Sequence, residues 1–132
     1  LGLNNLSKMI TDAIQSVLEG ISINAFSPIF DTDNMPVGLF ATHVETIAEK
    51  LKDKEEIYGY VHNVAITVVA DSQEQIDPAT VQIAETIELL SGTVEGTIIE
   101  ESQFISSEGV AWDNELKKYF DQLIFTVQTK NR

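Results

Sequence analysis

The sequence predicts an α+β fold: an antiparallel sheet of about four to five strands with two helices on one face, in the order α-β-β-β-α-β-β. Three observations carry this. From Tyr58 to Ala70 the even positions read Tyr, Tyr, His, Val, Ile, Val, Ala, with Gly59, Asn63 and Thr67 among the odd ones. That two-residue period belongs to a sheet with one buried face. Two other segments repeat apolar residues at three and four positions, as amphipathic helices do. Finally, a strand of about 13 residues at ~3.3 Å each spans ~43 Å, long against the ~14 Å radius of gyration of a compact chain of this size. It must bend or project, and a long β-hairpin is the expected form.

The first helix is read from Leu3, Leu6, Ile10, Ile14 and Val17, with Met9, Ala13 and Leu18 widening the stripe and Gly20 as its stop. ISINAFSPIF then reads as a brief or edge strand, because Pro28 cannot donate to a ladder. DTDNMP marks a turn. The segment 37–51 fits two patterns. Phe40, Val44, Ile47 and Leu51 make a helical stripe, while Val37/Leu39/Ala41 and Thr42/Val44/Thr46 alternate as a strand does. On the strand reading, 37–48 pairs with 56–70 across the polar loop LKDKEE.

The second helix is expected to start at Asp77, with Pro78 at its first position and Val81, Ile83, Ala84, Ile87 and Leu90 as its apolar face. Ser91-Gly92 ends it. VEGTIIEESQFISS is β-prone, and its alternation slips between Ile99 and Phe104, as at a bulge. A turn through Glu108-Gly109 and Asp113-Asn114 leads to the last strand, where Leu123, Phe125 and Val127 share one face.

At 132 residues and 43% hydrophobic content, residues 1–132 read as a single α+β domain burying about two-thirds of its unfolded surface. The absence of cysteine excludes disulfides and thiolate zinc sites. No apolar run approaches the ~20 residues of a membrane span, and the first residues do not read as a signal peptide. The net charge is −13, and its distribution is uneven: no Lys or Arg lies between Lys54 and Lys117, where thirteen Asp and Glu occur. A nucleic-acid-binding face needs a basic stripe, and none is visible. An acidic surface keeps a domain dispersed, repels DNA or meets a basic partner.

No catalytic, cofactor-binding or metal-binding constellation is evident. DTDNMP opens like a calcium loop but has Met35 and Pro36 at its fifth and sixth positions and Thr42 at its twelfth. His43 and His62 approach one another if the hairpin forms, yet two imidazoles lack a third ligand. Glu55/Glu56 and Glu100/Glu101 are adjacent, so in a strand they point to opposite faces. Trp112, in a polar turn, either packs over the sheet end or anchors a partner. Residues that could contact a partner or a second copy are Phe40, His43, Lys50, Lys52, Lys54 and Trp112.

The stretches MPVGLFATHVETIA, LKDKEEIYGY, VHNVAITVVADSQEQIDPATVQIAETIELLSG and YFDQLIFTVQT together resemble the tail-terminator (tail-completion, head–tail connector) proteins of tailed bacteriophages. The likeness runs from Leu3 to Thr129 in element order and apolar pattern, without an invariant motif, and it favours a strand over 37–48. It implies a non-enzymatic virion protein in the tail or neck, assembled in the host cytoplasm. That protein forms a cyclic homo-oligomer, a hexamer, which caps the tail tube, meets the tube and head-connector proteins, and passes DNA without sequence-specific binding. The alternative is a non-enzymatic binding module that takes a small ligand or peptide at its sheet edge.

Overall fold

The computed structural model describes residues 10–27 and 35–131. Leu3, Leu6 and Met9 of the expected first helix, Pro28, and the turn residues 31–34 lie outside them. The elements are α1 (Thr11–Gly20), β1 (Asn24–Phe26), β2 (Phe40–Asp53), β3 (Glu56–Ala70), α2 (Gln73–Glu88), β4 (Gly92–Val94), β5 (Thr97–Ser107), β6 (Ala111–Asp113) and β7 (Lys118–Lys130).

They form one seven-stranded sheet in the order β1-β2-β3-β7-β5-β4, with β6 also paired to β7. The sheet is mixed, where a purely antiparallel one of four to five strands was expected: β1 runs parallel to β2. A parallel neighbour needs a crossover of about a dozen residues or more, and thirteen residues separate Phe26 from Phe40 in the sequence. The strands missed by the pattern, β4 and β6, are three residues each, too short to show a period. Trp112 therefore lies in a strand and not in a turn.

The long hairpin forms. Phe40 pairs with Val69 and Asp53 with Glu56, so 37–51 is strand from Phe40 onward, and the competing helical stripe is not used. The loop LKDKEE tightens to a two-residue turn at Lys54-Glu55, both with positive φ (53° and 78°). Turns of this hand prefer Asn-Gly, which is why the sequence did not announce it. β3 and β7 pair continuously from Gly59↔Lys130 to Ala70↔Tyr119. The bulge expected in β5 is present, as register shifts between Ile99 and Glu101 and between Phe104 and Ser106.

The first helix ends in a Schellman motif. Ile23 N–H donates to Leu18 O (3.1 Å) and Ser22 N–H to Glu19 O (3.0 Å). The left-handed residue is Ser22 (φ 64°), not Gly20. Buried Ile23 and Leu18 supply the apolar contact of that motif.

The second helix starts a turn earlier than expected. Ser72 is its cap, with Oγ accepting from Gln75 N (3.3 Å), while Gln75 Oε1 accepts from Asp71 N (3.1 Å). Pro78 thus lies inside the helix, at a cost of about 3 kcal/mol. The extra turn buries Ile76 completely, and a fully buried isoleucine returns about 1.5–3 kcal/mol. Ile76, Ala79, Ile83 and Ile87 form the buried stripe, whereas Val81 faces outward at 57% exposure.

Both helices cover the face of the sheet carrying Ala41, Val64, Ile66, Val68, Leu123, Phe125 and Val127. Phe104 stacks at a tilt on Phe125 at 5.5 Å between centroids. At the end of β3, Asp71 accepts from Gly38 N (2.9 Å) and pairs with Lys118. The Lys118 ammonium holds the Asp71 carboxyl below the usual carboxylate range.

Candidate assembly surface

Strand parity divides the polar residues into two sets. Ala41, His43 and Glu45 oppose Val68, Ile66 and Val64, so His43 and Glu45 point under the helices into the core. Their side chains are 0% and 1% exposed, with His43 Nδ1 2.5 Å from Glu45 Oε2. His43 Nε2 lies 2.6 Å from Gln15 Oε1. The Gln15 amide nitrogen donates to Glu19 Oε2 and to Ala25 O, both at 2.8 Å, which fixes the amide orientation. The imidazole thus sits between the Glu45 carboxylate and the Gln15 amide oxygen, a hydrogen-bonded polar cluster inside the core. The network fastens α1 to β1 and β2.

His62 lies on the same face but opposes Ile47, so it is not the cross-strand partner of His43. Its Nε2 is 3.1 Å from Thr129 Oγ1, and Nδ1 is buried without a partner. Burial pushes its pKa from 6.5 down to about 4, with the Glu45 charge opposing the shift. A histidine neutral in the fold and protonated in the unfolded chain stabilises fully above pH ~6.5, and that stability is lost as pH falls toward 4. Unfolding in urea at pH 7 and pH 5 should therefore differ by about 2 kcal/mol through this residue. His62→Leu should remove that part of the difference. An equal pH difference in variant and parent would refute it.

Among the described residues, no helix lies on the opposite face of the sheet. Across β2, β3, β7 and β5 its residues fall in rows: Val44, Ala65, Ile124, Ser106, then Thr46, Asn63, Thr126, Gln103. On the other side of the first row lie Thr42, Thr67 and Gln122. None of these is charged. Beyond that row this face carries Phe40, Val69 and Phe120, of which Phe40 and Val69 are fully buried, and its charged residues lie toward its ends, at Glu49, Lys52, Glu101, Asp113, Lys118 and Lys130.

The six residues expected to contact a partner are scattered. Phe40 and His43 are fully buried within the chain, Phe40 packing edge-on against Phe26 at 5.9 Å. Lys50, Lys52 and Lys54 are exposed at the hairpin end. They are interleaved there with Glu49, Asp53, Glu55 and Glu56, so the tip is not basic. Trp112 sits at the other end of β7, 47% exposed and edge-on to Tyr119 at 4.8 Å. Gln15, Glu45 and the neutral rows went unnoticed in the sequence. The parity of Ala41, His43 and Glu45 was the available signal for two of them.

Concave features are shallow. One, at the hairpin end, is open and lined by Lys52, Asp53, Glu56, Ile57, Tyr58 and Asn131. A cleft of about 280 Å³ between α2 and β5 holds Val81, Ala84, Phe104 and Leu123 above Asp121. Asp121 accepts from Ser107 Oγ and Gly109 N at 3.1 Å, stapling the β5–β6 turn. Among the described residues no group of three or more His, Cys, Asp or Glu is placed to hold a metal ion.

The described residues therefore form an α+β unit of one mixed sheet with two helices on one of its faces. It is similar to a chain of the solved "Virion of native gene transfer agent (GTA) particle", with a TM-score of 0.71 and 12% identity over 93% of this chain and 96% of that one. No family model matches the sequence, and no curated protein matches it.

Proposed function

We propose that this chain is a structural, non-enzymatic virion protein of a phage-like particle. Within that class it acts as a tail terminator: a hexameric ring at the head–tail junction that caps the tail tube, contacts tube and head-connector proteins, and lets DNA pass. The observation that carries the reading is the end-to-end likeness of fold to a chain of a phage-like virion. The charge pattern supports it, since an acidic subunit without a basic stripe gives DNA nothing to hold. Assembly in the host cytoplasm and residence in the tail or neck follow from that role.

The competing role, a binding module that takes a peptide along its sheet edge, is disfavoured by the edges themselves. The outermost strands, β1 and β4, are three residues each, and the longer β2 and β5 inside them are bulged at Ala48, Glu100 and Ile105. Short edge strands and bulges both blunt an edge against further strand pairing. Mass spectrometry of purified particles together with light scattering of the concentrated protein tests the reading. Presence in the particle and an oligomer near six times 14.6 kDa are expected. A chain that is absent from particles and strictly monomeric in solution rules the reading out.

A further inference from the structure

The geometry points to the cleft between α2 and β5 as a slot for one arginine side chain, presented between apolar residues by a partner protein. The cleft holds about 280 Å³. Pockets that enclose a whole small molecule run to roughly 300–1,000 Å³, so this one suits a single side chain. Its walls are Val81 and Ala84 of α2 and Phe104 of β5, with Leu123 and Asp121 of β7 at the floor. The sheet is interrupted beside that floor: β5 leaves β7 at Ser107↔Leu123, and β6 joins it only from Ala111↔Phe120. β4 pairs with β5 no further than Ile99, so among the described residues no strand lies outside Phe104. α1 and β1, which adjoin the undescribed residues, pack at the β2 side, with β3 and β7 between them and β5.

Charge names the occupant. Asp121 is 5% exposed, and its carboxylate accepts from Ser107 Oγ and Gly109 N but from no Lys or Arg among the described residues. Lys118, the closest cation in sequence, points to the other face of β7 and pairs with Asp71. Burying a carboxylate without a cation is costly, and a guanidinium set against it supplies the missing partner. Glu85 stands exposed at the rim, and neither α2 nor β5 contains a Lys or Arg, so the field over the slot is negative and draws a cation in. Apolar walls above an anionic floor fit a side chain with an apolar stem and a charged head. Arginine suits this better than lysine, because its guanidinium sheds water more readily and stacks on aromatic rings. Phe104 offers one ring, and Tyr119, two residues from Asp121 on the same face of β7, another with half-exposed Trp112 against it. Exposed Val81 and Trp112 offer contacts to the apolar neighbours of the arginine. Docking through a side chain needs no strand pairing at the blunted edges.

Titrating the tripeptide acetyl-Leu-Arg-Leu-amide into the full chain tests the slot. Binding should shift the amide resonances of Ser107 and Gly109 and the emission of Trp112, the one tryptophan of the chain. Exchanging the arginine for citrulline, which keeps its shape and removes its charge, should weaken binding roughly tenfold or more. Asp121→Asn, which retains a carbonyl oxygen for Gly109 N, should do the same. Should that variant fold poorly, Val81→Lys on the exposed surface of α2 serves instead, since its ammonium competes for Asp121 and should cost as much affinity. No binding of the arginine peptide, or equal binding of the citrulline one, overturns the proposal. So does an identical Trp112 response when the chain alone is concentrated, which would make the occupant a second copy. The slot lies within one chain, so its failure leaves the tail-terminator reading intact. A chain that binds the peptide yet is absent from particles counts against that reading alone.

Discussion

Replacing Glu45 with alanine should cost about 1–3 kcal/mol of folding stability, the usual effect of leaving a buried polar group without its partner. Glu45 is the only carboxylate that the described residues bring to His43, and both side chains are sealed from water by α1. Without it, one N–H of the imidazole has no acceptor in the core, and the Gln15 contact alone must hold the ring. The double change His43→Leu/Glu45→Leu should recover most of the loss, because two apolar groups at a dry site leave no polar atom stranded between them. Gln15 is only half-buried, so its freed amide oxygen can turn to water. Urea denaturation of the parent, Glu45→Ala and the double variant decides the matter. If the single and double variants are equally unstable, the pair is not what makes Glu45 important.

Gly59→Ala should be nearly as damaging, at about 1–3 kcal/mol or more. A methyl group built on Gly59 would stand 2.2 Å from the backbone carbonyl oxygen of Thr129 and 3.3 Å from Lys130 Cα. Neither atom belongs to a flexible side chain that can swing away, so β3 and β7 must separate locally. The loss should therefore appear at one end of the sheet. Hydrogen exchange is expected to quicken at Tyr58–Val61 and Gln128–Asn131, while the Val64–Val68 and Gln122–Phe125 pairs stay protected. Uniform loss of protection, or none, would contradict a local clash. The same end carries the Asn131 contacts, Nδ2 to Ile57 O at 2.7 Å and N to Tyr58 O at 2.8 Å, which should weaken together.

Much of the fold was legible because long elements announce themselves. The alternation from Tyr58 to Ala70 and the Leu123/Phe125/Val127 stripe put the central strands on the correct face, and the slip between Ile99 and Phe104 marked a real bulge. Less was legible at the ends of elements. Asp77-Pro78 looked like a helix start, yet Ser72 and Gln75 cap an earlier one, since burying Ile76 offsets a proline that local rules would exclude. Segment 37–51 supported helix and strand alike, and only pairing with β3 selected the strand.

What the sequence determined by itself was the α+β class, the two helices over one sheet face and the acidic, base-free middle of the chain. Each is a matter of period or composition, which neighbours along the chain reveal. The tertiary structure alone decided that Phe40–Asp53 is a strand paired with β3, that β1 joins in parallel, and that His43 and Glu45 are sealed beneath Gln15. Those features join residues on different strands and helices, and their burial depends on which face a helix covers. No local pattern carries that information.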